Sequence, residues 1–166
     1  VYAVEVGFGQ LAGSLSQDAR VVNLEKTNIG DEKLLSLSPT PTLGSVDLSY
    51  LSLVKAVPQF RSIMHGAGEL MCLVKPLFET DDAEARRTGE LSPESYAPLL
   101  RRLCDTLSAQ PGTHVAGVTH SPVTGNNGTH EFFLHVRFGG DELPPVPDAS
   151  IRQAVEAVLC LPKYHK

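Results

Sequence analysis

Several short apolar runs in this chain stop on a group that can carry chemistry. Val1–Val6 (VYAVEV) reaches Glu5 just ahead of the turn Gly7-Phe8-Gly9, and Arg20–Glu25 (RVVNLE) ends on Glu25, with Asn28 in the turn that follows. Leu43–Leu48 reaches Asp47, and the run inside Glu69–Glu79 (ELMCLVKPLFE) ends on Lys75, immediately before Pro76. His130–Phe138 (HEFFLHVRF) does the reverse and opens with Glu131. A carboxylate at the tip of a parallel strand can accept hydrogen bonds from both hydroxyls of a ribose. An ammonium at the carboxyl end of a buried strand stands where open α/β sheets keep their sites. Each group also has a plainer reading: Lys75 as the first solvated residue past a core strand, Asp47 as its salt-bridge partner, Glu5 as a loop glutamate. His120 and His130 flank the last strand as loop histidines, without metal-ligand spacing.

The elements that would position these groups follow from pattern. The continuous apolar run before Lys75 suits a strand covered on both faces in a parallel sheet. Pro76 stops it, because proline has no N–H and biases its neighbour away from helix. Ser49 or Ser52 can cap a helix whose stripe is Leu53, Val54, Val57, Phe60 and Ile63, with Pro58 as a kink and Gly66 and Gly68 at its end. Strands adjacent in sequence and parallel lie side by side, which puts Asp47 next to Lys75. The short loop through Gly125-Asn126-Asn127-Gly128 forces His114–Thr119 and His130–Phe138 to pair antiparallel. Glu131 then begins its strand at the rim where the parallel strands finish, so Asp47, Lys75 and Glu131 converge on one sheet edge. Glu25 or Asn28 would border the base of a nucleoside or simply cap the turn.

Elsewhere, Asp31–Leu37 reads as a short helix and Thr80–Glu90 as a polar, mobile loop over the strand ends. Ser92-Pro93-Glu94 starts a helix to about Ala109 with Leu99, Leu103 and Leu107 inward. Residues 139–147 read as a proline-rich linker to a last helix, capped by Asp148 or Ser150 and carrying Ile151, Val155, Val158 and Leu159.

Bulk properties narrow the class. The 166 residues suit a single domain, and a net charge of −5 argues against a generally basic nucleic-acid binder. A local patch from Arg86, Arg87, Arg101, Arg102, Lys163, His165 and Lys166 stays open. Cys72, Cys104 and Cys160 read as reduced core thiols, which together with the absence of a leader-like start points to a cytoplasmic protein. No apolar run is long enough to span a membrane, and no GxGxxG supports a dinucleotide-dependent oxidoreductase. The chain opens at Val1, already inside a strand pattern, which reads as a piece of a longer protein.

Taken in order, VYAVEVGFGQL, RVVNLEKTNI, VDLSYLSL, LVKPLFE and SPVTGNNGTHEFF resemble the TlyA-type family: FtsJ-like, S-adenosylmethionine-dependent ribosomal-RNA 2′-O-methyltransferases, often labelled haemolysins. The resemblance implies an α/β, Rossmann-like class I methyltransferase sheet, mostly parallel with an antiparallel last strand and helices on both faces. It implies that the first strand, its glycine-rich cofactor loop and a small RNA-binding domain lie upstream of Val1, so that this piece is inactive without them. It implies a lysine–aspartate–lysine–glutamate set in which Asp47, Lys75 and Glu131 are the last three members and the first lysine is upstream. It also makes Glu5 the ribose-binding acid, places Glu25 and Asn28 near the adenine, and gives Asp47 a share in the cofactor site. Ribosomal RNA or a ribosomal subunit is the implied partner. Leu77 stands where the family has glutamine, and Thr80–Glu90 lacks the family's lysine- and glycine-rich character. Two other readings are a catalytically dead RNA- or ribosome-binding module of the same fold, and a literal haemolysin, which would need a membrane-active segment.

Overall fold

A computed structural model describes residues 1–162 of the chain. Lys163, His165 and Lys166 of the suggested basic patch lie outside the described residues. The chain opens with β1 (Tyr2–Val4), a single turn α1 (Gly13–Ser16) and β2 (Val22–Leu24). β1 and β2 pair in parallel from Tyr2↔Val22 to Val4↔Leu24 and form a two-stranded unit. The helix expected over Asp31–Leu37 is a 3-10 turn, Glu32–Ser36, whose start is capped by the Asp31 carboxylate accepting from the Lys33 N–H.

The second sheet holds β3 (Leu43–Val46), β4 (Gly68–Val74), β5 (Thr113–His120) and β6 (Phe132–Phe138), in the spatial order β3-β4-β6-β5. β3 runs parallel to β4, and β6 runs antiparallel to both β4 and β5. The last strand is therefore the reversed one. Neither β1 nor β2 pairs with β3, so the ladder breaks between the two sheets.

Helices α2 (Leu53–Ile63), α3 (Pro76–Glu79), α4 (Ala83–Thr88), α5 (Tyr96–Ser108) and α6 (Asp148–Leu159) complete the fold. Ser52 caps α2 by accepting from the Val54 N–H, and Gly66, with φ at 77°, closes the turn after it through its N–H to the Arg61 carbonyl. Such a left-handed conformation is nearly free of strain only for glycine. Leu99, Leu103 and Leu107 are buried on α5 as expected, joined by Leu100 and Cys104.

One core joins buried residues of α2, α5 and α6 to alternate strand residues: Leu70, Cys72 and Val74 on β4, and Phe132, Leu134, Val136 and Phe138 on β6. The intervening residues face away from it, with Met71 43% and Leu43 73% exposed. β4 was expected to be covered on both faces. Among the described residues it alternates, because no helix lies over the face that carries Leu43 and Met71.

Three further expectations change. Thr80–Glu90 contains helix α4, started by Asp82, which accepts from the Glu84 and Ala85 N–H groups, and stopped by Gly89 at a φ of 76°. Those two residues are ordinary start and stop signals that the charge of the segment masked. Cys160 is exposed at the end of α6 rather than in the core, while Cys72 and Cys104 are buried. Leu159, also expected inward, is 43% exposed.

Candidate active site

Lys75 is the residue at which β4 hands over to α3. Its backbone is extended, and Pro76 occupies the first helical position, where a missing N–H costs nothing. The side chain is 22% exposed and its Nζ lies 2.5 Å from Oδ1 of Asp47, with the Ser49 hydroxyl oxygen at 3.4 Å. Asp47 follows directly on β3, whose last pair with β4 is Val46↔Cys72. The parallel ladder thus delivers both side chains to one rim.

Glu131 arrives from the opposite chain direction. The final pair between β4 and β6 is Val74↔Phe132, so one further step places Glu131 across from Lys75. Its backbone is held by the Ser121 N–H donating to its carbonyl at 2.9 Å. Burial pushes the Glu131 carboxyl above the ordinary glutamate range; the Lys75 charge pulls it back and the Asp47 charge pushes it up. The three side chains share one electrostatic environment. The loop before β6 folds against Glu131 closely enough that a Cβ on Gly125 would collide with its Oε1. Beside Glu131, the buried His130 ring meets the Tyr96 hydroxyl at 3.4 Å.

A cavity of about 1000 Å³ opens at this rim, lined by Ser49, Lys75, Phe78, Asn126 and Glu131 among others. Its lip carries Tyr50, which is 90% exposed, holds a φ of 65° and sets its ring 5.1 Å from that of Phe78. A left-handed backbone at a bulky residue is strained, and such strain clusters at functional sites. Sequence reasoning missed Tyr50 and Phe78. Their signal was present: each aromatic stands three places beyond a charged strand-end residue, Asp47 and Lys75.

The residues expected at a cofactor form a separate group. The Glu5 carboxylate accepts from the Gly7 N–H at 2.7 Å, Glu25 from the Gln10 N–H at 3.1 Å, and Asn28 from the Gly30 N–H at 2.9 Å. All three sit beyond the carboxyl ends of β1 and β2, and none lines the cavity beside Lys75. Among the described residues, no hydrogen bond or ion pair joins them to Asp47, Lys75 or Glu131. Glu5 nevertheless has the acceptor chemistry that ribose hydroxyls need: one oxygen accepts from its own turn, and Oε2 has no hydrogen-bond partner among the described residues. No group of three or more His, Cys, Asp or Glu side chains among the described residues could hold a metal.

Parallel strands closed by a reversed last strand, with Asp47 and Lys75 paired at their carboxyl rim, make a Rossmann-like α/β domain. The chain belongs to the FtsJ-like methyltransferase family, whose model matches residues 1–138. It is 35% identical over 159 residues to YqxC of Bacillus subtilis, named as a provisional rRNA methyltransferase, covering 93% of this chain and 56% of that protein. It is 34% identical over 142 residues to TlyA of Mycobacterium tuberculosis, named a 16S/23S rRNA (cytidine-2′-O)-methyltransferase, covering 82% of this chain and 51% of that one. The chain thus spans about half the length of these two relatives. Among solved structures it is similar to a hemolysin-named protein from Streptococcus thermophilus, with a TM-score of 0.80 and 30% identity over 96% of this chain and 57% of the other. A hemolysin-named protein of Lactococcus lactis matches with a TM-score of 0.81 and 31% identity, over 94% of this chain and 74% of that one.

Proposed function

We propose that this chain carries the methyl-transfer site of an enzyme acting on a ribose 2′-hydroxyl of ribosomal RNA, with S-adenosylmethionine as methyl donor. The observation that carries the reading is the meeting of Asp47, Lys75 and Glu131 at one rim, beside a cavity large enough for a nucleotide. The 2′-O chemistry in the name of the Mycobacterium tuberculosis relative agrees with it.

A ribose hydroxyl is a weak nucleophile and must be aimed. The Lys75 ammonium has three donors. Asp47 takes one and Ser49 a second, which leaves the third for the 2′-oxygen. Asp47 is 67% exposed on its side chain and serves as the holder of Lys75. Glu131, which stands across the β4–β6 ladder from Lys75 and whose carboxyl burial raises above its ordinary range, would accept the hydroxyl proton as the oxygen attacks. Bound S-adenosylmethionine would supply an electrophilic methyl group on a positively charged sulfur. Glu5 would receive its ribose hydroxyls, with Glu25 and Asn28 toward the adenine and Asp47 taking a share in the cofactor site. Alignment of hydroxyl and methyl group then supplies much of the rate. The partner is ribosomal RNA or a ribosomal subunit.

One observation favours a second reading, a binding module of the same fold without chemistry. Glu5, Glu25 and Asn28 are each already engaged by backbone amides of their own loops. A membrane-lytic role has less behind it: no described helix is long and apolar enough to cross a membrane.

On the complete native protein, calorimetry with S-adenosylmethionine and transfer of labelled methyl groups to ribosomal RNA separate the first two. The enzyme reading expects binding heat and incorporation. It expects Lys75→Ala and Asp47→Ala to lose about 10²–10⁴-fold in transfer with an unchanged circular dichroism spectrum. Undiminished turnover in either variant removes the site, and absence of heat at high ligand concentration favours the binding module.

A further inference from the structure

Glu79 closes α3, the turn that begins at Lys75, but its carboxylate serves a different element. Oε2 accepts from the Ser52 hydroxyl at 2.6 Å, and Oε1 accepts from the Leu53 N–H at 2.8 Å. Both partners lie at the start of α2, where helical N–H groups have no partners within the helix. α2 has no acidic residue in its own first turn; Glu79 provides one from 26 residues away. The segment behind Glu79 is tight. The Phe78 N–H donates to the Lys75 carbonyl at 2.8 Å and the Thr80 N–H to the Pro76 carbonyl at 3.0 Å, so Lys75 and Glu79 belong to one small rigid turn. Arg102 on α5 fixes that turn from outside, donating to the Glu79 carbonyl at 2.7 Å and to the Asp81 carboxylate.

The stretch from Asp47 to Leu53 is therefore fastened to this turn at two points. Near β3, Asp47 and Ser49 touch Lys75; near α2, Ser52 and Leu53 touch Glu79. Between them stands Tyr50 with its strained backbone.

We propose that Glu79 is a positioning residue: its carboxylate clamps the 47–53 loop to the Lys75 turn and so sets the geometry of the Asp47–Lys75 pair and the place of Tyr50. The kinetic consequence rests on the methyl-transfer reading; the clamp does not. A half-buried carboxylate is an expensive helix cap, since Ser52 already caps α2 through the Val54 N–H at 3.2 Å. Burial raises the Glu79 carboxyl above its usual range even though Ser52, the Leu53 N–H and Arg102 all favour the charged form. What the carboxylate adds beyond capping is the tie between two strand-end segments.

Glu79→Ala and Glu79→Gln in the native protein separate the possibilities, because glutamine keeps an acceptor for Leu53 and a polar partner for Ser52. Two-dimensional amide NMR reads the clamp without turnover. Glu79→Ala is expected to shift the amides of Asp47, Ser49 and Lys75 and to speed exchange at Leu53, while Glu79→Gln leaves them near wild type. Methyl transfer reads the consequence. Glu79→Ala is expected to lose about tenfold or more in kcat with KM for the methyl donor little changed, and Glu79→Gln to restore it. Unmoved Asp47 and Lys75 amides in a folded Glu79→Ala overturn the clamp, while full kcat in that variant, or an equal loss in Glu79→Gln, overturns its role in setting the geometry for transfer. A wild-type protein that transfers no methyl group overturns the methyl-transfer reading instead, and the amide shifts then decide the clamp alone.

Discussion

Glu131 shows how one residue's surroundings decide both its stability cost and its chemistry. Burial raises its carboxyl above the ordinary glutamate value of 4.5. The stability it contributes is complete below that value and declines as pH rises through the raised one, because the folded state then holds an unwelcome charge. Glu131→Gln removes the decline. Thermal melts between about pH 4 and pH 8 should therefore show the variant gaining on wild type only toward the upper end. A constant difference across that range would contradict the burial argument. At this scale the rim was legible. Asp47, Lys75 and Glu131 announce themselves because each stands where a strand pattern starts or stops, and strand direction is readable from loop length. The contacts of Glu79 and the backbone of Tyr50 were not legible. The partners of Glu79 lie 26 and 27 residues away, and the strain at Tyr50 is a property of backbone angles that no residue type declares.

Among the elements, the clearest lesson comes from α4. Its sequence is so charged that it reads as a solvated loop, yet Asp82 accepts from two N–H groups and Gly89 supplies the left-handed stop. Local capping outweighed composition. Asp82→Ala should cost about 1 kcal/mol, felt as faster hydrogen exchange at the Glu84 and Ala85 amides with little change in the global melt. A large global loss would mean that α4 supports the core rather than lying over its edge. β4 teaches the converse. Its unbroken apolar run predicts burial on both faces, whereas Leu70, Cys72 and Val74 enter the core and Met71 does not. Sequence alone cannot tell a doubly covered strand from an apolar one with an uncovered face, since the missing information is which helices lie over it. The break at Pro76, the Ser52 cap of α2 and the antiparallel last pair follow from proline, capping and loop length, which act locally. By contrast, α5 begins at Tyr96 after a 3-10 turn and α6 after Pro147, both without the side-chain caps expected from Ser92 and from Asp148 or Ser150.

Across the whole molecule, two groups of polar residues stand at the carboxyl ends of two separate sheets. Asp47, Lys75 and Glu131 gather at the four-stranded sheet; Glu5, Glu25 and Asn28 gather at the β1–β2 pair. The methyl-transfer account requires that the first group act on RNA and the second hold the donor, in a protein whose relatives are about twice as long. A net charge of −5 means that RNA affinity must come from local features rather than from the overall field. The account is tested most directly by the identity of the methylated atom. Ribosomal RNA treated with the native protein and S-adenosylmethionine, digested to nucleosides and analysed by mass spectrometry, should yield a nucleoside methylated on its ribose 2′-oxygen, and Lys75→Met should yield none while still binding the methyl donor. A methyl group found on a base, or the same 2′-O-methyl nucleoside formed at wild-type rate by Lys75→Met, would contradict it.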